Sequence, residues 1–434
     1  MTVLASAWKL ATWWKGRIAF AAIDQFFSSA SNFLFTIYIA HLLSIDSFGL
    51  FSVVWTISLL ADVVTNSLVV DPLIALTGER RKSSGSATSS TESLRASAFW
   101  ICLALSGATS LAIGVSGMVA TAWSSELGGL LLCLAALHPL QRLHVLVRRL
   151  CYLEDRQHVA AITGGCFALT LLVAAALLVH THQLSSITAM LTWTASSAVV
   201  VAIGYAFGIM PVRLIPLTMI VEDARTMMRS GRWLLPAASV YWISGYGVIP
   251  MMAAYAGPAA GGIIRALLNL FSPVYQANGA ITWAVSHKFS DASAMSDPGR
   301  IRRLSVYGTI PPILVAAGYC AVVLIWPADL LNLIYGKPEI VAAAPLIWPL
   351  VIGLLIDAAS QGSGLSLLAM GRTQAILAIR LASLVVFAAL GLVLTPAFGI
   401  GGVIWAIVAS ITVVATLSIL EMLRATRHMN GPKR

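Results

Sequence analysis

The chain has 434 residues, of which 59% are hydrophobic and only 10% are charged, and its mean hydropathy is +0.87. Soluble globular proteins carry about 25% charged residues, so the composition predicts an integral membrane protein. It excludes a soluble enzyme, a nucleic-acid binder and a disordered scaffold as descriptions of the whole chain. The net charge of +10 is typical of nucleic-acid binders, but the positions of the basic residues account for it differently.

A membrane-spanning helix needs about 20 mostly apolar residues. Residues 1–17 precede the first apolar run, and their basic, tryptophan-rich composition predicts an interfacial segment at the cytoplasmic surface. Cutting the rest of the sequence at charged, glycine, proline and serine clusters gives twelve runs of spanning length: 18–43, 50–78, 96–123, 127–147, 159–180, 187–209, 233–256, 259–283, 305–326, 343–370, 375–395 and 399–421. The sequence thus predicts an all-α protein of about twelve transmembrane helices.

The basic residues fall almost entirely in alternate connections, where cytoplasmic loops are enriched in lysine and arginine. With the N-terminus inside, 24 of the 27 lysines and arginines are cytoplasmic, and Lys337, Arg265 and Arg380 are the exceptions. This count assigns Arg142, Arg148 and Arg149 to the connection after the fourth run. The pattern predicts an even number of spans with both termini in the cytoplasm.

Weak internal similarity divides the predicted spans into two halves. The first two runs join through the tight turn 44–49, and the seventh and eighth join through the tight turn 257–262. A parallel repeat with a substrate path between its halves would explain this. The predicted organisation is an interfacial segment, an N-terminal lobe, a cytoplasmic linker, a C-terminal lobe and a basic tail, over residues 1–17, 18–209, 210–232, 233–421 and 422–434 respectively.

Ionisable residues inside the spans are the best indicators of function, because charges are costly in the membrane. Four spans carry polar residues at helical spacing on one face: Asp24, Ser28, Ser31 and Asn32; Ser58, Asp62, Thr65 and Asn66; Arg265, Asn269, Ser272 and Gln276; and Asp357, Ser360, Gln361 and Gly364. Lipid cannot solvate these faces. A wet cavity between the lobes would satisfy them, and so would structural ion pairs, such as Asp357 with Arg265, or hydrogen bonds between helices. His41, His138 and His144 are interpreted as interfacial residues near span ends.

Four stretches resemble the polysaccharide-transporter (Wzx-type) flippases of the multidrug/oligosaccharidyl-lipid/polysaccharide (MOP) exporter superfamily. They are Ile39-Ala40-His41-Leu42-Leu43-Ser44-Ile45-Asp46-Ser47-Phe48-Gly49-Leu50-Phe51, Leu333-Ile334-Tyr335-Gly336, Met370-Gly371-Arg372 and Pro396-Ala397-Phe398-Gly399-Ile400-Gly401-Gly402. The resemblance implies two six-helix lobes around a central cavity in a bacterial inner membrane. It further implies that polyprenyl-diphosphate-linked oligosaccharide moves to the periplasmic leaflet, for a polysaccharide polymerase and chain-length or export proteins.

Under that resemblance, we expect an arginine to hold the diphosphate, because guanidinium groups bind phosphate oxygens in a bidentate manner. Arg265 is the first choice and Arg380 the second, with Asn269, Gln276, Gln361 and Asn32 for the sugar. No cofactor or nucleic acid is expected. The sequence departs from the family in carrying more aspartate than arginine inside the spans. Asp24, Asp62 or Asp357 could therefore couple transport to a proton or sodium gradient.

Three other functions stay open. A drug/cation antiporter of the same superfamily would use the buried carboxylates directly. A membrane enzyme of polysaccharide assembly is opposed by the short predicted outside loops and by the lack of a Walker loop, an H-E-x-x-H motif or a G-x-S-x-G motif. A scaffold that transports nothing is the third.

Overall fold

The computed structural model describes residues 2–74, 76–77, 88–295 and 297–429, and in these residues all regular structure is helical. The prediction of an all-α protein is confirmed. The helices are α1 (Thr2–Leu42), α2 (Ile45–Thr65, continued by a π-helical segment, Asn66–Val70), α3 (Thr88–Ala120), α4 (Ser125–Leu153), α5 (Gln157–His180), α6 (Ser186–Ala206), α7 (Leu217–Gly231), α8 (Leu234–Gly245), α9 (Val248–Ala256), α10 (Pro258–Leu270), α11 (Ser272–Ala294), α12 (Pro298–Ile325), α13 (Pro327–Tyr335), α14 (Pro338–Val341), α15 (Ile347–Ala369, preceded by a 3-10 turn, Ala344–Leu346), α16 (Thr373–Phe398) and α17 (Ile400–His428).

Within the described residues, nine helices are long and apolar enough to cross a membrane. They correspond to nine of the twelve predicted spans. The other three predicted spans coincide with α1, with α8 and α9, and with α10 and α11, so the count of twelve stays a prediction. Several basic positions in the predicted cytoplasmic connections and tail lie outside the described residues or have undescribed side chains: Lys9, Lys15, Arg17, Arg80, Arg81, Lys82, Lys433 and Arg434.

The seventh and eighth predicted spans are each divided into two helices, α8 and α9 in the seventh and α10 and α11 in the eighth. The break in the seventh span has local causes. Between α8 and α9 the amides of Tyr246 and Gly247 both bond to the carbonyl of Trp242, where Gly245 and Gly247 have low helix propensity. Proline lacks the amide that would continue the ladder, and Pro250 lies in the first turn of α9.

The contacts divide the chain into two compact units, Met1–Ser239 and Val240–Arg434. In the first unit α1 packs on α5, α3 on α4, and α6 on both α4 and α5. In the second unit α15 packs on α12 and α17, and α16 packs on α17. Each unit thus has its own helix-packed core.

The crossing of α12 and α15 depends on Gly362. A Cβ atom at this position would overlap the carbonyl oxygen of Ser305, and Thr309 Oγ1 would lie 2.6 Å away. The Gly362 amide donates to Thr309 Oγ1 at 3.2 Å. Small residues permit this close approach of membrane helices.

One sequence-based assignment needs correction. Helix α4 runs to Leu153, so Arg142 and Arg148 lie within it rather than in a cytoplasmic connection. Arg142 is only 3% exposed. Each of the two arginines is paired with a carboxylate of a neighbouring helix, as described below. The predicted linker, 210–232, contains the 15-residue helix α7, and its role as a linker stays a prediction.

Candidate functional site: polar clusters in each unit

The polar face of α1 is built around Asp24, which is fully buried. Arg148 of α4 donates from Nε to Asp24 Oδ1 at 3.2 Å and from Nη2 to Oδ2 at 2.7 Å. The Tyr152 hydroxyl donates to Asp24 Oδ2 at 2.7 Å, and Arg148 Nη1 donates to Ser28 Oγ at 3.0 Å. A Cβ at Gly164 of α5 would lie 2.8 Å from Asp24 Oδ1, so glycine lets α5 pass close to the pair. The carboxylate is neutralised within its own unit.

The polar face of α2 contacts α4 at Arg142, about one and a half turns before Arg148 on the same helix. Asp62 forms an ion pair with Arg142. Ser58 Oγ donates to Gln141 Oε1 at 3.3 Å. His138, on the preceding turn of α4, is completely buried. Asp24 and Asp62 are therefore both paired with arginines of α4.

Asn32, predicted to contact sugar, is hydrogen-bonded to a tryptophan of the same unit. Trp193 Nε1 of α6 donates to Asn32 Oδ1 at 3.2 Å, and Asn32 Nδ2 donates to the carbonyl oxygen of Ser28 at 2.9 Å. The Trp55 and Trp193 rings are 6.3 Å apart between centroids. Both ends of the Asn32 amide therefore have hydrogen-bond partners within the first unit.

Arg265 and Asn269 of α10 are both buried in the second unit, with 7% and 5% exposure. The phenols of Tyr246 and Tyr335 interact electrostatically with Arg265. The Tyr335 hydroxyl donates to the carbonyl oxygen of Ala266 at 2.9 Å. Arg265 is thus held beside phenol groups in the interior of its unit.

The C-terminal end of α10 has a backbone carbonyl that lacks its usual helical hydrogen bond. Pro273 has no amide to donate to the carbonyl four residues before it, and the next amide, of Val274, bonds to Phe271. The carbonyl oxygen of Leu270 instead accepts a hydrogen bond from the Tyr319 hydroxyl at 2.6 Å. A tyrosine of α12 therefore satisfies the backbone at the helix break.

Asp357, Gln361 and Arg380 form a second cluster in this unit. Gln361 Nε2 donates to Asp357 Oδ2 at 3.0 Å. The Arg380 guanidinium lies 5.0 Å from the centre of the Tyr241 ring, a cation–π contact. Asp357 interacts electrostatically with Arg380 and Tyr241. The Asp357 carboxylate thus accepts a hydrogen bond from a neutral amide, whereas Asp24 and Asp62 are paired with guanidinium groups.

The structure brings together some of the predicted site residues and separates others. Asp357, Gln361 and Arg380 are neighbours, Arg265 and Asn269 form another group, and Gln276 has an exposed side chain on α11. Asp24, Asp62 and Asn32 belong to the first unit.

Sequence analysis missed the arginines of α4 that pair with Asp24 and Asp62, and the aromatic residues that hydrogen-bond to Asp24 and Asn32. Gln141, Arg148 and Tyr152 follow one another at seven and four residues, a spacing that places them on one face of α4, and this pattern could have identified a polar face. The interpretation of His138 as interfacial was wrong, because its side chain is buried in the middle of a spanning helix. His144 Nδ1 lies 3.1 Å from Ser197 Oγ, so it too has an internal partner.

One ion pair lies at the turn that follows α4. Arg95 Nη1 is 2.9 Å from Glu154 Oε1. Burial raises the pKa of the Glu154 carboxyl group above its ordinary value, and the nearby Arg95 and Arg156 oppose that shift. The pair connects the start of α3 to the α4–α5 turn.

Solved structures share this architecture over almost the whole chain. One is an inward-facing multidrug-resistance MATE family transporter of the MOP superfamily, at a TM-score of 0.73 and 12% identity, covering 94% of this chain and 98% of the other. The chain has the fold of MOP-superfamily transporters. The lipid II flippase MurJ, in an inward closed conformation, also matches, at a TM-score of 0.67 and 10% identity, covering 94% and 89%.

A third match is a MOP-superfamily transporter from Pyrococcus furiosus described as having a binding pocket of reversed polarity, at a TM-score of 0.68 and 13% identity, covering 96% of each chain. No protein-family model matches the sequence, and no curated protein matches it. At these identities the likeness concerns the fold, and the Wzx-type resemblance stays a prediction.

Proposed function

We propose that the protein is a bacterial inner-membrane flippase for polyprenyl-diphosphate-linked oligosaccharide, which it moves from the cytoplasmic to the periplasmic leaflet for polysaccharide synthesis. Alternating access between the two lobes would expose a central cavity to each side in turn. The fold is shared with multidrug transporters and with a lipid II flippase. The four motif stretches favour the flippases among these.

The neutralisation of Asp24 and Asp62 is the observation that carries the choice of substrate. A transporter of cationic drugs needs free carboxylates, whereas the carboxylates of both residues are engaged by Arg148 and Arg142. A diphosphate needs cationic and hydrogen-bonding groups that replace water, because an uncompensated charge is strongly disfavoured in an apolar medium. The buried Arg265 and the half-buried Arg380 supply such groups in the second unit.

In this proposal Arg265 binds the diphosphate and Arg380 assists it. Gln361, Asn269 and Asn32 contact the sugar. Gln276 adds a further amide. The bound oligosaccharide replaces the water that would otherwise solvate these groups.

Lipid extracts from a strain that lacks the protein test the proposal. We expect the completed lipid-linked oligosaccharide to accumulate on the cytoplasmic face and surface polymer to be lost. Wild-type protein and the matched control Arg303→Gln, at an exposed arginine, should restore export, whereas Arg265→Gln should not. Normal lipid-linked pools and normal polymer in the deletion strain, after redundant genes are removed, would refute the flippase.

A drug/cation antiporter is the second candidate, and Asp357 is the residue that favours it. Its carboxylate accepts a hydrogen bond from the amide of Gln361 rather than being held by a bidentate arginine. For the same reason we propose Asp357, ahead of Asp24 and Asp62, as the group that couples transport to protons or sodium. Drug sensitivity that changes on deletion while surface polymer is intact would select the antiporter. Unaltered export by Asp357→Asn would exclude coupling through this residue.

A further inference from the structure

Helix α7, Leu217–Gly231, is docked along the first unit by one of its faces. Asp223 is buried and accepts a hydrogen bond from Ser97 Oγ of α3 at 2.5 Å. Met227 is fully buried one turn later. A Cβ at Gly231 would overlap the carbonyl oxygen of Ser67 in the π-helical segment of α2, so only glycine allows the helix to lie this close. We call this set the docked face.

The next sector of the helix surface is apolar and exposed. At about 100° per residue, Leu217, Val221 and Met228 lie together immediately beside the docked face. They are 72%, 40% and 48% exposed. The chain on either side continues this character, with Leu214 and Trp233 at 92% and 66% exposure. In water such an apolar stripe would be unfavourable.

The sector after that is basic. Arg225, Arg229 and Arg232 follow the apolar residues around the helix, and all three are exposed. The Arg232 guanidinium lies 5.5 Å from the centre of the Trp233 ring, so a cation and an interfacial aromatic residue meet at the end of the helix. Glu222, the acidic residue on the exposed side, lies beyond the arginines.

The order of these sectors matches a membrane surface. A helix that lies in the interface inserts an apolar stripe below the head groups and presents basic residues at their level. Tryptophan is enriched at the same depth. A purely apolar partner would leave the three arginines without counter-charges, whereas phosphate head groups complement them.

We propose that α7 is an in-plane membrane helix that binds acidic phospholipid head groups through Arg225, Arg229 and Arg232. The docked face fixes the helix to α2 and α3, the apolar stripe enters the bilayer, and the arginines bind the phosphates. Since α7 forms most of the predicted linker between lobes, acidic lipid would hold that linker at the membrane surface. This inference does not depend on what the protein transports.

Amide hydrogen exchange of residues 217–231 tests it, with the full-length protein in nanodiscs of phosphatidylcholine alone or mixed with phosphatidylglycerol. We expect slower exchange with phosphatidylglycerol. Each basic residue near an anionic surface contributes about fivefold to binding, so the three arginines together could slow exchange by up to about a hundredfold. Added salt should reduce the difference, because exposed charges are screened.

Substitution separates the arginines from general charge effects. The triple variant Arg225→Gln, Arg229→Gln and Arg232→Gln should lose the lipid-dependent difference. A matched control, Lys288→Gln with Arg424→Gln and Arg427→Gln, removes three exposed basic residues elsewhere and should retain it. If the triple variant does not reconstitute, Arg229→Gln alone should reduce the difference about fivefold.

Equal exchange in both lipids would overturn the proposal and leave a protein partner as the occupant of this face. So would a control variant that abolishes the difference as completely as the triple variant does. Because exchange is measured without substrate, a failure here is independent of a failure of the flippase assay.

Discussion

Replacing Arg148 with glutamine should leave the Asp24 carboxylate buried without its cationic partner. Asp24 is 0% exposed, whereas Arg148 is 22% exposed, so the two charges are not equally able to reach water after the other is removed. Removing one partner of a buried ion pair costs about 3–5 kcal/mol. We therefore expect Arg148→Gln to cost about 4 kcal/mol of unfolding free energy.

The reverse substitution should cost less. Asp24→Asn removes the buried charge and leaves Arg148 partly exposed, so we expect a loss of about 1–3 kcal/mol from the missing charged hydrogen bonds. The double variant, Asp24→Asn with Arg148→Gln, has no uncompensated charge and should resemble the Asp24→Asn variant. Because the double variant and Asp24→Asn lose about the same free energy, the coupling energy equals the loss in Arg148→Gln, about 4 kcal/mol.

Unfolding in mixed detergent micelles, followed by circular dichroism, measures all four members of this cycle. Tyr152→Phe is the matched control, because it removes one hydrogen bond to the same Asp24 oxygen and leaves the ion pair in place, so it should cost about 1.5–3 kcal/mol, less than Arg148→Gln. Hydrogen bonds between membrane helices couple by about 0.6 kcal/mol on average. A coupling energy no larger than that would refute the claim that the Asp24 pair is a buried ion pair that stabilises the unit.

Three further expectations concern the helix contacts and the partly buried carboxyl group of Glu154. Gly362→Ala should lower the unfolding free energy by about 3 kcal/mol through steric overlap. Gly364→Ala, whose Cβ would have no neighbour within 4 Å, should leave the unfolding free energy nearly unchanged. A similar loss in both variants would contradict the packing argument. Tyr319→Phe should cost about 1–3 kcal/mol in the same unfolding assay, because it leaves the Leu270 carbonyl without its hydroxyl donor, and an unchanged value would mean that another group satisfies the carbonyl. The pKa of Glu154 is raised, so the folded protein binds this proton more tightly than the unfolded chain does. The stability contributed by protonation should therefore be present at low pH and fall as the pH rises from the ordinary pKa of 4.5 through the raised one. Thermal unfolding across that range should show a steeper fall in the wild type than in Glu154→Gln, and identical profiles would argue against it.

Some features of this protein follow from the sequence because they depend on local composition. The apolar runs predict helices wherever they reach spanning length, since the bilayer forces backbone groups to bond within the segment. The polar face of α1 is visible from its spacing, because helix periodicity alone aligns Asp24 with Ser28 and Asn32. The breaks at Gly247 and Pro273 also have local causes, although only the structure shows that they interrupt the helices.

The partners of the polar residues could not be obtained in the same way. Arg148 is 124 positions from Asp24, and its neighbouring basic residues made it resemble a loop arginine in the topology count. Whether a buried aspartate faces a cavity or an arginine depends on which helices pack side by side, and the sequence of one helix carries little information about its neighbours. The same holds for α7, which the sequence analysis described only as part of a linker and whose docked face the structure shows.

A helical membrane protein with charged residues inside its spans is predictable from the amino-acid sequence, because lipid imposes an apolar composition on every segment separately. The tertiary structure decided that Asp24 and Asp62 are neutralised by arginines of α4 and that Asp357 is held by an amide. Those outcomes depend on distances between helices, and electrostatic and hydrogen-bond energies are determined by such distances rather than by the order of residues along the chain.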